Sequence, residues 1–504
     1  MVLVAGHCDL VGAAILCRLE SPGCRNTLGS PVTPTWPRGA PRILYVVTHP
    51  MTANILMRGQ LRYMREAGFE LAVVSGPGPE LDEIKAREDV ATYSVPLRRE
   101  IGLAADIRAL LGLRKRMRIF KPDVVVASTP KAGLLGMFAA WVERIPVRVY
   151  LVRGLRLETT SGLRRFLLCC AERIASKCAT RVAAVSPSLR RRYLKLRLTN
   201  PGKIFVAGGG SSNGVDVTRF RPADSPGRVA RLRSRLGIPQ DAPVIGFVGR
   251  LTADKGISDL VRAFTGEIRS RFAGAQLVLV GDFEDGDPVT AATQQIVRTD
   301  PEIRLLGFVS DAAPYYRLFD VLAFPSYREG FPNVPLEAGA SMVPIVGYAV
   351  TGTVDAVVDG ETGRLVAAGD RAALARAICA YLEDTQLRRR HGAAARERAV
   401  REYRSEKVWK HGHSRYTRSW VGTRWDAPLI HPHDDRRCVL RGGQAPPGFI
   451  ALRSDGSVDL AANRLLGSPC PVRSWPTCHL PADKTRAERS TVHHVQVPQH
   501  ARRA

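Results

Sequence analysis

A predicted strand and a predicted helix are joined by Ser326-Tyr327-Arg328-Glu329-Gly330-Phe331-Pro332-Asn333-Val334-Pro335-Leu336-Glu337-Ala338. The preceding residues, Val321–Pro325, form an apolar run of the length expected for a buried strand. Pro335 stands near the start of the helical pattern, where its missing N–H costs nothing. Glu329 is therefore predicted on the loop and Glu337 one turn into the helix, so that two carboxylates flank the helix start.

The start of a helix is a favourable place for a phosphate group. Its first amides have no partner within the helix, and the helix dipole presents its positive end there. Carboxylates on either side of a phosphate site can accept hydrogen bonds from the hydroxyls of a sugar or a ribose. The segment thus predicts a site for a phosphorylated sugar, although two glutamates at this spacing also occur on ordinary solvated helices.

The segment resembles the E-x(7)-E signature of retaining glycosyltransferases, and that of family 4 in particular. The resemblance includes the flanking residues Phe324-Pro325-Ser326, Glu337-Ala338-Gly339-Ala340 and Pro344-Ile345-Val346, and it covers residues 41–415. It implies an α/β protein of GT-B architecture, in which two Rossmann-like domains face each other across a cleft.

The resemblance also implies roles for single residues of the segment. In that family the second glutamate binds the donor ribose and the first contacts the transferred sugar, which gives these roles to Glu337 and Glu329. Backbone groups of the loop between them would meet the donor phosphates, and one further residue would border the nucleotide base. The residues concerned are Gly330, Phe331, Asn333 and Val334 for the phosphates and Val309 for the base.

A basic loop follows the predicted strand at 244–248. Its Arg250 offers a planar fork of donors and its Lys255 a point charge, and both can neutralise a diphosphate. A nucleotide leaving group needs such help, because negative charge grows on it as the glycosidic bond breaks. In the resembling family the matching Arg and Lys hold the donor diphosphate, so Arg250, Lys255 and Glu329 are the predicted catalytic residues. An ordinary basic loop is the alternative.

Apolar runs alternate with helical patterns along two stretches of the chain, as is typical of parallel α/β sheets. We predict an N-terminal Rossmann-like acceptor domain at 41–222. A C-terminal Rossmann-like donor domain follows at 223–420, and its last helix crosses back onto the first domain. The predicted strands are 43–47, 70–74, 123–127, 147–151 and 181–185 in the first domain, and 244–248, 276–280, 303–306, 321–324 and 344–346 in the second.

The two ends of the chain do not follow this pattern. Residues 1–20 resemble a fragment of a GDP-fucose synthase-like epimerase/reductase, but Asp9 stands where the pyrophosphate needs a glycine. We interpret residues 1–40 as a vestigial strand–helix fragment with a linker. Residues 421–504 are rich in Pro, Gly, Arg and His with few periodic apolar runs, and we predict that they are a disordered tail.

The first domain is expected to hold the acceptor. Its segments at 57–61, 129–136 and 153–159 resemble a subgroup from capsule, O-antigen and exopolysaccharide clusters, whose members extend sugars on polyprenyl diphosphate carriers. The resemblance implies a lipid-linked glycan as acceptor, although the Gly-Gly pair of many members is missing from the loop at 48–54. The candidate acceptor-binding residues, each of which a structural role would also explain, are His49, Asn54, Lys131, Arg153, Arg156 and Glu158.

The chain of 504 residues carries a formal net charge of +27, which calls for an anionic partner. Because no helix-turn-helix, zinc-finger or aromatic RNA-binding signature accompanies the charge, nucleic acid is not predicted as a partner. Basic and apolar residues mix at 113–121 and 189–197, which suits anionic lipid headgroups. We predict a cytoplasmic protein that is peripheral on the inner face of the cell membrane; a solvated arginine-rich surface is the alternative.

No cofactor or metal is expected. The ten cysteines are scattered, with no C-x-x-C pair and no ligand-spaced His/Cys cluster. Asp285-Gly286-Asp287 matches the sequence pattern of an Asp-x-Asp metal motif. Because it lies in a Gly-rich acidic loop, we interpret it as a turn. Arg250 and Lys255 would neutralise the diphosphate of a nucleotide-diphosphate sugar, which is the expected donor substrate.

These observations predict a metal-independent retaining glycosyltransferase of surface polysaccharide synthesis. The acceptor hydroxyl would attack from the front face and pass its proton to the leaving diphosphate, so no general base is assigned. One alternative is another GT-B enzyme such as a nucleotide-sugar 2-epimerase, against which the pairing of two cations with two glutamates argues. The other is a non-catalytic basic protein that binds membrane or nucleic acid.

Overall fold

The computed structural model describes residues 3–4, 40–98, 102–223, 225–412 and 450–451. The chain divides into two compact units, one from residues of both chain ends and one spanning Ala13–Arg437. In the first unit the structure describes two strands, Leu3–Val4 and Ile450–Ala451, which pair antiparallel. The predicted fragment at 1–40 and tail at 421–504 otherwise lie outside the described residues, apart from residue 40.

The unit Ala13–Arg437 contains two parallel sheets. The first has seven strands in the order β3-β2-β1-β4-β5-β6-β7, and all of its neighbouring pairs are parallel. Its central strands consist mostly of buried apolar residues, because helices cover both of their faces. The strands are β1 Arg42–Val46, β2 Glu70–Ser75, β3 Ala91–Ser94, β4 Val124–Ser128, β5 Val147–Val152, β6 Arg181–Ala184 and β7 Ile204–Val206.

Helices cover the two faces of this first sheet. The first three pack on one face, and the next four share a core cluster on the other. None of the described helices of the protein is long and apolar enough to cross a membrane. The helices of this domain are α1 Pro50–Leu56, α2 Gln60–Glu66, α3 Glu80–Glu88, α4 Leu103–Phe120, α5 Pro130–Val142, α6 Gly162–Cys178 and α7 Pro187–Lys195.

The second sheet has six parallel strands in the order β10-β9-β8-β11-β12-β13. The strands are β8 Val244–Val248, β9 Gln276–Val280, β10 Ile303–Leu305, β11 Val321–Phe324, β12 Ile345–Tyr348 and β13 Gly363–Val366. Its helices are α8 Pro226–Arg235, α9 Ile257–Ala263, which continues through a π-helical turn at Phe264–Ile268 to Arg271, α10 Ala291–Thr299, α11 Ala313–Tyr316, α12 Asn333–Ala340, α13 Thr353–Ala356, α14 Arg371–Glu383 and α15 Thr385–Tyr403.

The strand order reverses once in each sheet, between β1 and β4 and between β8 and β11. In open α/β sheets, the crevice for a ligand lies at such a point, outside the carboxyl ends of the strands. The loops that leave β8 and β11 therefore start side by side and diverge. The predicted fold class, an α/β protein with two Rossmann-like domains, is confirmed.

The chain crosses between the two sheets twice. The first crossing follows β7, and the second follows α15. The two crossing segments are hydrogen-bonded to each other: the Val215 amide donates to the Tyr403 carbonyl at 2.8 Å, and the Ser405 amide donates to the Val215 carbonyl at 3.1 Å. Beyond the second crossing, residues 405–412 are helical, and the Trp409 indole donates to Asn213 Oδ1 at 2.6 Å. The chain thus ends its second domain by returning to the first.

Candidate functional site

The loop after β8 is held against the loop after β11 by a close backbone contact. Gly256, with φ of 68°, follows the short 3₁₀ turn Ala253–Lys255. A Cβ at Gly256 would lie 2.1 Å from the carbonyl oxygen of Pro325. Glycine satisfies both the positive φ and the contact, and the contact fixes Lys255 beside the loop that carries Glu329.

Lys255 and Glu329 form an ion pair through Nζ and Oε1. The Lys255 ammonium also lies 3.5 Å from Ser326 Oγ. The side chains are mostly buried, with 16% of Lys255 and 13% of Glu329 exposed, so that water screens their attraction weakly. Two of the predicted site residues, 74 positions apart in the sequence, thus meet at the carboxyl edge of the sheet.

Arg250 has a partner that the sequence did not predict. Its guanidinium donates to Glu284 Oε2 at 2.6 Å, and both side chains remain partly open to solvent. Glu284 lies on the loop after β9, which is the neighbour of β8. No motif marks this glutamate. The only sequence signal is that loops leaving adjacent parallel strands emerge at one edge of the sheet.

Asp254 organises the basic loop. Its carboxylate accepts hydrogen bonds from the Thr252 hydroxyl at 2.6 Å and the Arg328 guanidinium at 2.5 Å. Burial acts to raise the pKa of Asp254, but the Thr252 hydrogen bond and the nearby Lys255 and Arg328 charges outweigh it and lower that pKa. The Asp254 amide in turn donates to Asp287 Oδ2 at 2.9 Å. Asp287 thus ties its turn to the basic loop.

Glu337 lies on α12, where Tyr316 donates a hydrogen bond of 2.6 Å from its hydroxyl to Glu337 Oε2. Burial raises the pKa of Glu337, while the Tyr316 hydrogen bond and the charge of Arg219 partly oppose the shift. Tyr316 is fully buried, which fixes the position of its hydroxyl. Tyr316 is not among the residues predicted from the sequence, because no spacing relates α11 to α12.

Gly330 marks the place where the two domains touch through their main chains. A Cβ at Gly330 would lie 2.0 Å from the carbonyl oxygen of Arg153, which follows β5 of the first domain. On the other side, a Cβ at Gly352 would lie 2.4 Å from the carbonyl oxygen of Gly330. The structure therefore brings Arg153 directly against the loop that carries Glu329.

Polar side chains continue this contact between the domains. The Thr351 hydroxyl donates to Glu158 Oε1 at 2.9 Å, and Arg192 Nε donates to the same oxygen at 3.1 Å. The Gly352 amide donates to Ser188 Oγ at 2.8 Å. Glu158, a predicted acceptor residue of the first domain, thus lies at the boundary with the second.

Two other predicted acceptor residues have partners within the first domain. His49 Nδ1 accepts the Met51 amide at 3.2 Å and caps α1. The Asn54 side chain donates to Glu83 Oε2 at 2.8 Å and accepts from Arg87 at 2.6 Å. The Asn54 bonds join α1 to α3, and the His49 bond caps α1, so both residues have structural roles.

The remaining acceptor candidates occupy the ends of helices or turns in the first domain. Lys131, in the first turn of α5, pairs with Asp106 of α4 at 2.7 Å. Arg156 opens the 3₁₀ turn Arg156–Thr159, which also carries Glu158. The Arg165 guanidinium of α6 donates to the Leu157 carbonyl at 2.5 Å and holds this turn in place.

All but one of the residues predicted to meet the nucleotide lie just before or within α12; the exception is Val309. Phe331 is buried and its ring lies 5.1 Å from that of Tyr403, whereas Val334 packs partly buried on the core. Asn333 begins the helix, and among the described residues its buried Oδ1 has no hydrogen-bond partner. Val309 is half-buried beyond the end of β10. The arrangement offers cations, a helix start and two carboxylates on one edge of the sheet.

Two sequence families match the chain, one over each sheet. Residues 53–210 match the family described as "Glycosyl transferase 4-like domain", and residues 242–384 match "Glycosyl transferases group 1".

Single proteins are similar over longer stretches. The capsular polysaccharide biosynthesis glycosyltransferase CapM of Staphylococcus aureus is 37% identical over 361 residues, which is 72% of this chain and 93% of CapM. The UDP-Gal:alpha-D-GlcNAc-diphosphoundecaprenol alpha-1,3-galactosyltransferase of Escherichia coli is 28% identical, over 62% of this chain and 79% of that enzyme. Among solved structures, HepE of Anabaena in complex with UDP-glucose has a TM-score of 0.63 at 21% identity, covering 75% of this chain and 99% of HepE.

The contact at Gly330 leads to a first prediction. Gly330→Ala should lower the free energy of unfolding by about 1–3 kcal/mol, the usual cost of overpacking, because its Cβ meets a backbone carbonyl. Urea unfolding of the two variants Gly330→Ala and Gly202→Ala measures this, since a Cβ at Gly202 meets nothing within 4 Å. Equal stability of both variants would contradict the close contact.

Proposed function

The chain belongs to the family of group 1 glycosyl transferases, and from this membership we propose that it moves a sugar from a nucleoside-diphosphate sugar to a glycan hydroxyl on a polyprenyl diphosphate carrier. The chain is a glycosyltransferase of surface polysaccharide synthesis. CapM acts in capsular polysaccharide biosynthesis, and the Escherichia coli relative acts on a sugar linked to diphosphoundecaprenol. These relatives support the proposed acceptor class.

One observation carries the donor assignment. The Lys255–Glu329 pair and Arg250 lie at the reversal of strand order in the second sheet, beside the start of α12. Two cations and a helix N-terminus together suit a diphosphate, which carries more charge than either group alone would neutralise. Glu329 is then next to the sugar that the diphosphate carries.

The chemistry assigned to these residues is stabilisation of the leaving group. As the glycosidic bond breaks, negative charge moves onto the nucleoside diphosphate, and Lys255 and Arg250 stabilise it there. We propose that the two cations make a metal ion unnecessary. The acceptor hydroxyl attacks from the face that the diphosphate leaves, and its proton passes to a diphosphate oxygen, so that the anomeric configuration is retained.

Glu337 is assigned to the ribose of the donor. Tyr316 holds one carboxylate oxygen, Oε2, in a fixed position, and we assign the other oxygen to a ribose hydroxyl. Hydrogen bonds from a hydroxyl to a carboxylate are charge-assisted and strong. In this proposal Tyr316 is a positioning residue for Glu337.

The acceptor is assigned to the first domain. Arg153 lies against Gly330, and Arg156 shares a turn with Glu158, which meets Thr351 of the second domain. Cationic side chains at this boundary suit the diphosphate of a lipid-linked glycan. We propose that the enzyme works at the inner face of the cell membrane, where a lipid-linked acceptor and a cytoplasmic nucleotide sugar can meet.

A panel of nucleotide sugars tests the proposal. A true donor present at a hundredfold its Kd should stabilise the protein by about 2.7 kcal/mol in a thermal shift experiment. That donor is then incubated with polyprenyl-diphosphate-linked glycans, and transfer is followed by mass spectrometry. Stabilisation by no nucleotide sugar would refute the proposal, and turnover of the donor without any acceptor would favour an epimerase.

The second prediction concerns the diphosphate-binding cations. Arg250→Ala and Lys255→Ala should each lower kcat by about a hundredfold or more, the usual loss when a group that stabilises transition-state charge is removed. Arg269→Ala is the matched control, because Arg269 pairs with Asp300 and Glu302, at 2.7 and 3.3 Å, away from these loops. Steady-state kinetics measure kcat. If Arg250→Ala and Lys255→Ala both kept the kcat of the control, these cations would not be the groups that stabilise the leaving diphosphate.

The third prediction separates the two glutamates. Glu329→Gln keeps the shape of the side chain but weakens its hydrogen bonds to sugar hydroxyls, so kcat should fall more than affinity for the free nucleoside diphosphate. Glu337→Gln should mainly weaken nucleotide binding, by about tenfold, because a charge-assisted hydrogen bond to ribose is lost. Isothermal titration with the free nucleotide compares them, and the opposite ranking would exchange the two roles.

The fourth prediction concerns the competing carboxylate of Glu284. A diphosphate that binds Arg250 has to displace Glu284, so Glu284→Gln should raise affinity for the free nucleoside diphosphate by about two- to fivefold, the size of an exposed ion pair. Glu302→Gln, which removes a carboxylate from Arg269, controls for the change in net charge. A lower affinity in Glu284→Gln would mean that this carboxylate binds the ligand directly.

A further inference from the structure

Helix α6 of the first domain has two apolar faces. Its inner face packs on the sheet through residues such as Ala175 and Cys178. Its outer face carries Leu163, Phe166 and Leu167, which are 72%, 60% and 53% exposed. Residues three and four positions apart lie together on a helix, so these side chains form one continuous apolar stripe. A helix whose outer face meets only water normally carries polar residues there.

The same property recurs on α4. Its inner face is formed by Ala109, Leu113 and Met117, whereas Leu103, Ile107 and Leu111 are 80%, 50% and 55% exposed. Helices α4, α5 and α6 share one core cluster and therefore cover the same side of the sheet. Their outward sides consequently belong to one surface. We call the following residues the apolar face: Leu103, Ile107, Leu111, Leu163, Phe166 and Leu167.

The apolar face lies at the end of the domain that borders the cleft. Helices that follow parallel strands run back along the sheet, so their first turns lie at the carboxyl edge of the strands. Two contacts agree with this placement. Lys131 at the start of α5 pairs with Asp106 near the start of α4 at 2.7 Å, and Arg165 near the start of α6 holds the Leu157 carbonyl at 2.5 Å, within the turn that carries Glu158.

The charges around the apolar face are positive. Arg108 and Lys115 on α4 and Arg164 and Arg173 on α6 are exposed. The acidic residues of the two helices do not offset them: Asp106 is paired with Lys131, and Glu172 is buried between Tyr150 and Tyr193, each of which donates to it at 3.0 Å. Exposed apolar stripes and exposed basic residues on the same two helices match the interface of an anionic membrane.

This surface differs from the two segments that the sequence indicated. In the segment 113–121, Leu113, Met117 and Phe120 are buried in the core, and in 189–197 Leu189 and Tyr193 are buried. Most of their apolar side chains are therefore committed to the fold of the domain; the exception in 113–121 is Ile119, which is 59% exposed. A membrane requires apolar side chains that the fold leaves exposed, and the apolar face supplies six of them in the N-terminal halves of α4 and α6.

We propose that the apolar face docks the first domain onto the surface of an anionic phospholipid membrane. The inference deepens the proposed function, because it places the lipid surface at the cleft end of the acceptor domain. The large apolar side chains enter the headgroup region, and the arginines and lysines around them bind lipid phosphates. A second copy of the chain would oppose one basic surface with another, so the charge favours a lipid partner.

Sedimentation of the full chain with vesicles tests the proposal. Vesicles of phosphatidylcholine mixed with phosphatidylglycerol should bind the protein, and those of phosphatidylcholine alone should bind it more weakly. Raising the salt concentration should weaken binding to the anionic vesicles, because exposed charges are screened over about 8–10 Å at physiological ionic strength. The double variants Phe166→Gln/Leu167→Gln and Leu103→Gln/Ile107→Gln should each lose at least about tenfold in apparent affinity.

Ile55→Gln is the matched control, because Ile55 is 51% exposed on α1, which packs on the opposite side of the sheet. It should bind vesicles as the unchanged protein does, and all variants should bind free nucleoside diphosphate alike. If the unchanged protein did not bind nucleoside diphosphate, that result would count against the proposed function but not against membrane docking.

Three results would overturn the docking face itself. The unchanged protein could fail to bind anionic vesicles, or the double variants could bind them as the control does. In the third outcome, analytical ultracentrifugation shows the unchanged protein as a dimer and the double variants as monomers. That result would assign the apolar face to contact with a second copy of the chain.

Discussion

The close approach of three main-chain segments at Gly330 is the constraint on which the site depends. The carbonyl of Arg153 and the backbone around Gly352 occupy the space on both sides of this residue, so no side chain fits there. The loop is consequently fixed between its neighbours: Glu329 lies next to the first domain, and Phe331 packs beside Tyr403. The helix start that follows inherits this position. A single glycine thus sets where Glu329 and the start of α12 lie relative to the first domain.

Both cations beside this loop are paired with carboxylates of the protein. Lys255 is paired with Glu329 and Arg250 with Glu284, so neither cation is left uncompensated in a partly desolvated place, which would be costly. The two pairs differ in exposure, because Lys255 is mostly buried and Arg250 is half-exposed. In the proposed function, an incoming diphosphate exchanges these carboxylates for phosphates. Such an exchange would limit affinity for the nucleoside diphosphate and so favour its release after each transfer.

The sequence predicted the central strands of both sheets, and the family resemblance implied that the loops after β8 and β11 form one site. Central strands are continuous apolar runs, and a parallel sheet with one reversal of order brings those loops together. Strands β3, β7 and β13 were not predicted. They are partly exposed sheet edges of three or four residues. Strands β3 and β13 do not form apolar runs, and β7 is apolar but only three residues long.

The hydrogen-bond and ion-pair partners of Arg250 and Glu337 could not be predicted from the sequence. Glu284 and Tyr316 stand at no informative spacing from the residues they bind, and only the packing of separate elements brings them near. The outer stripe of α6 was missed for a related reason. Periodicity identifies apolar positions on a helix, but only the packing against the sheet decides which of them are covered.

The return of the chain after α15 limits how the two domains can move relative to each other. Because the two crossing segments are joined by hydrogen bonds at Val215, they act as a single strap, and sliding or separation of the domains would break it. A swing of one domain about an axis through the strap would keep these bonds, but it would open the contact between Gly330 and Arg153 at the cleft.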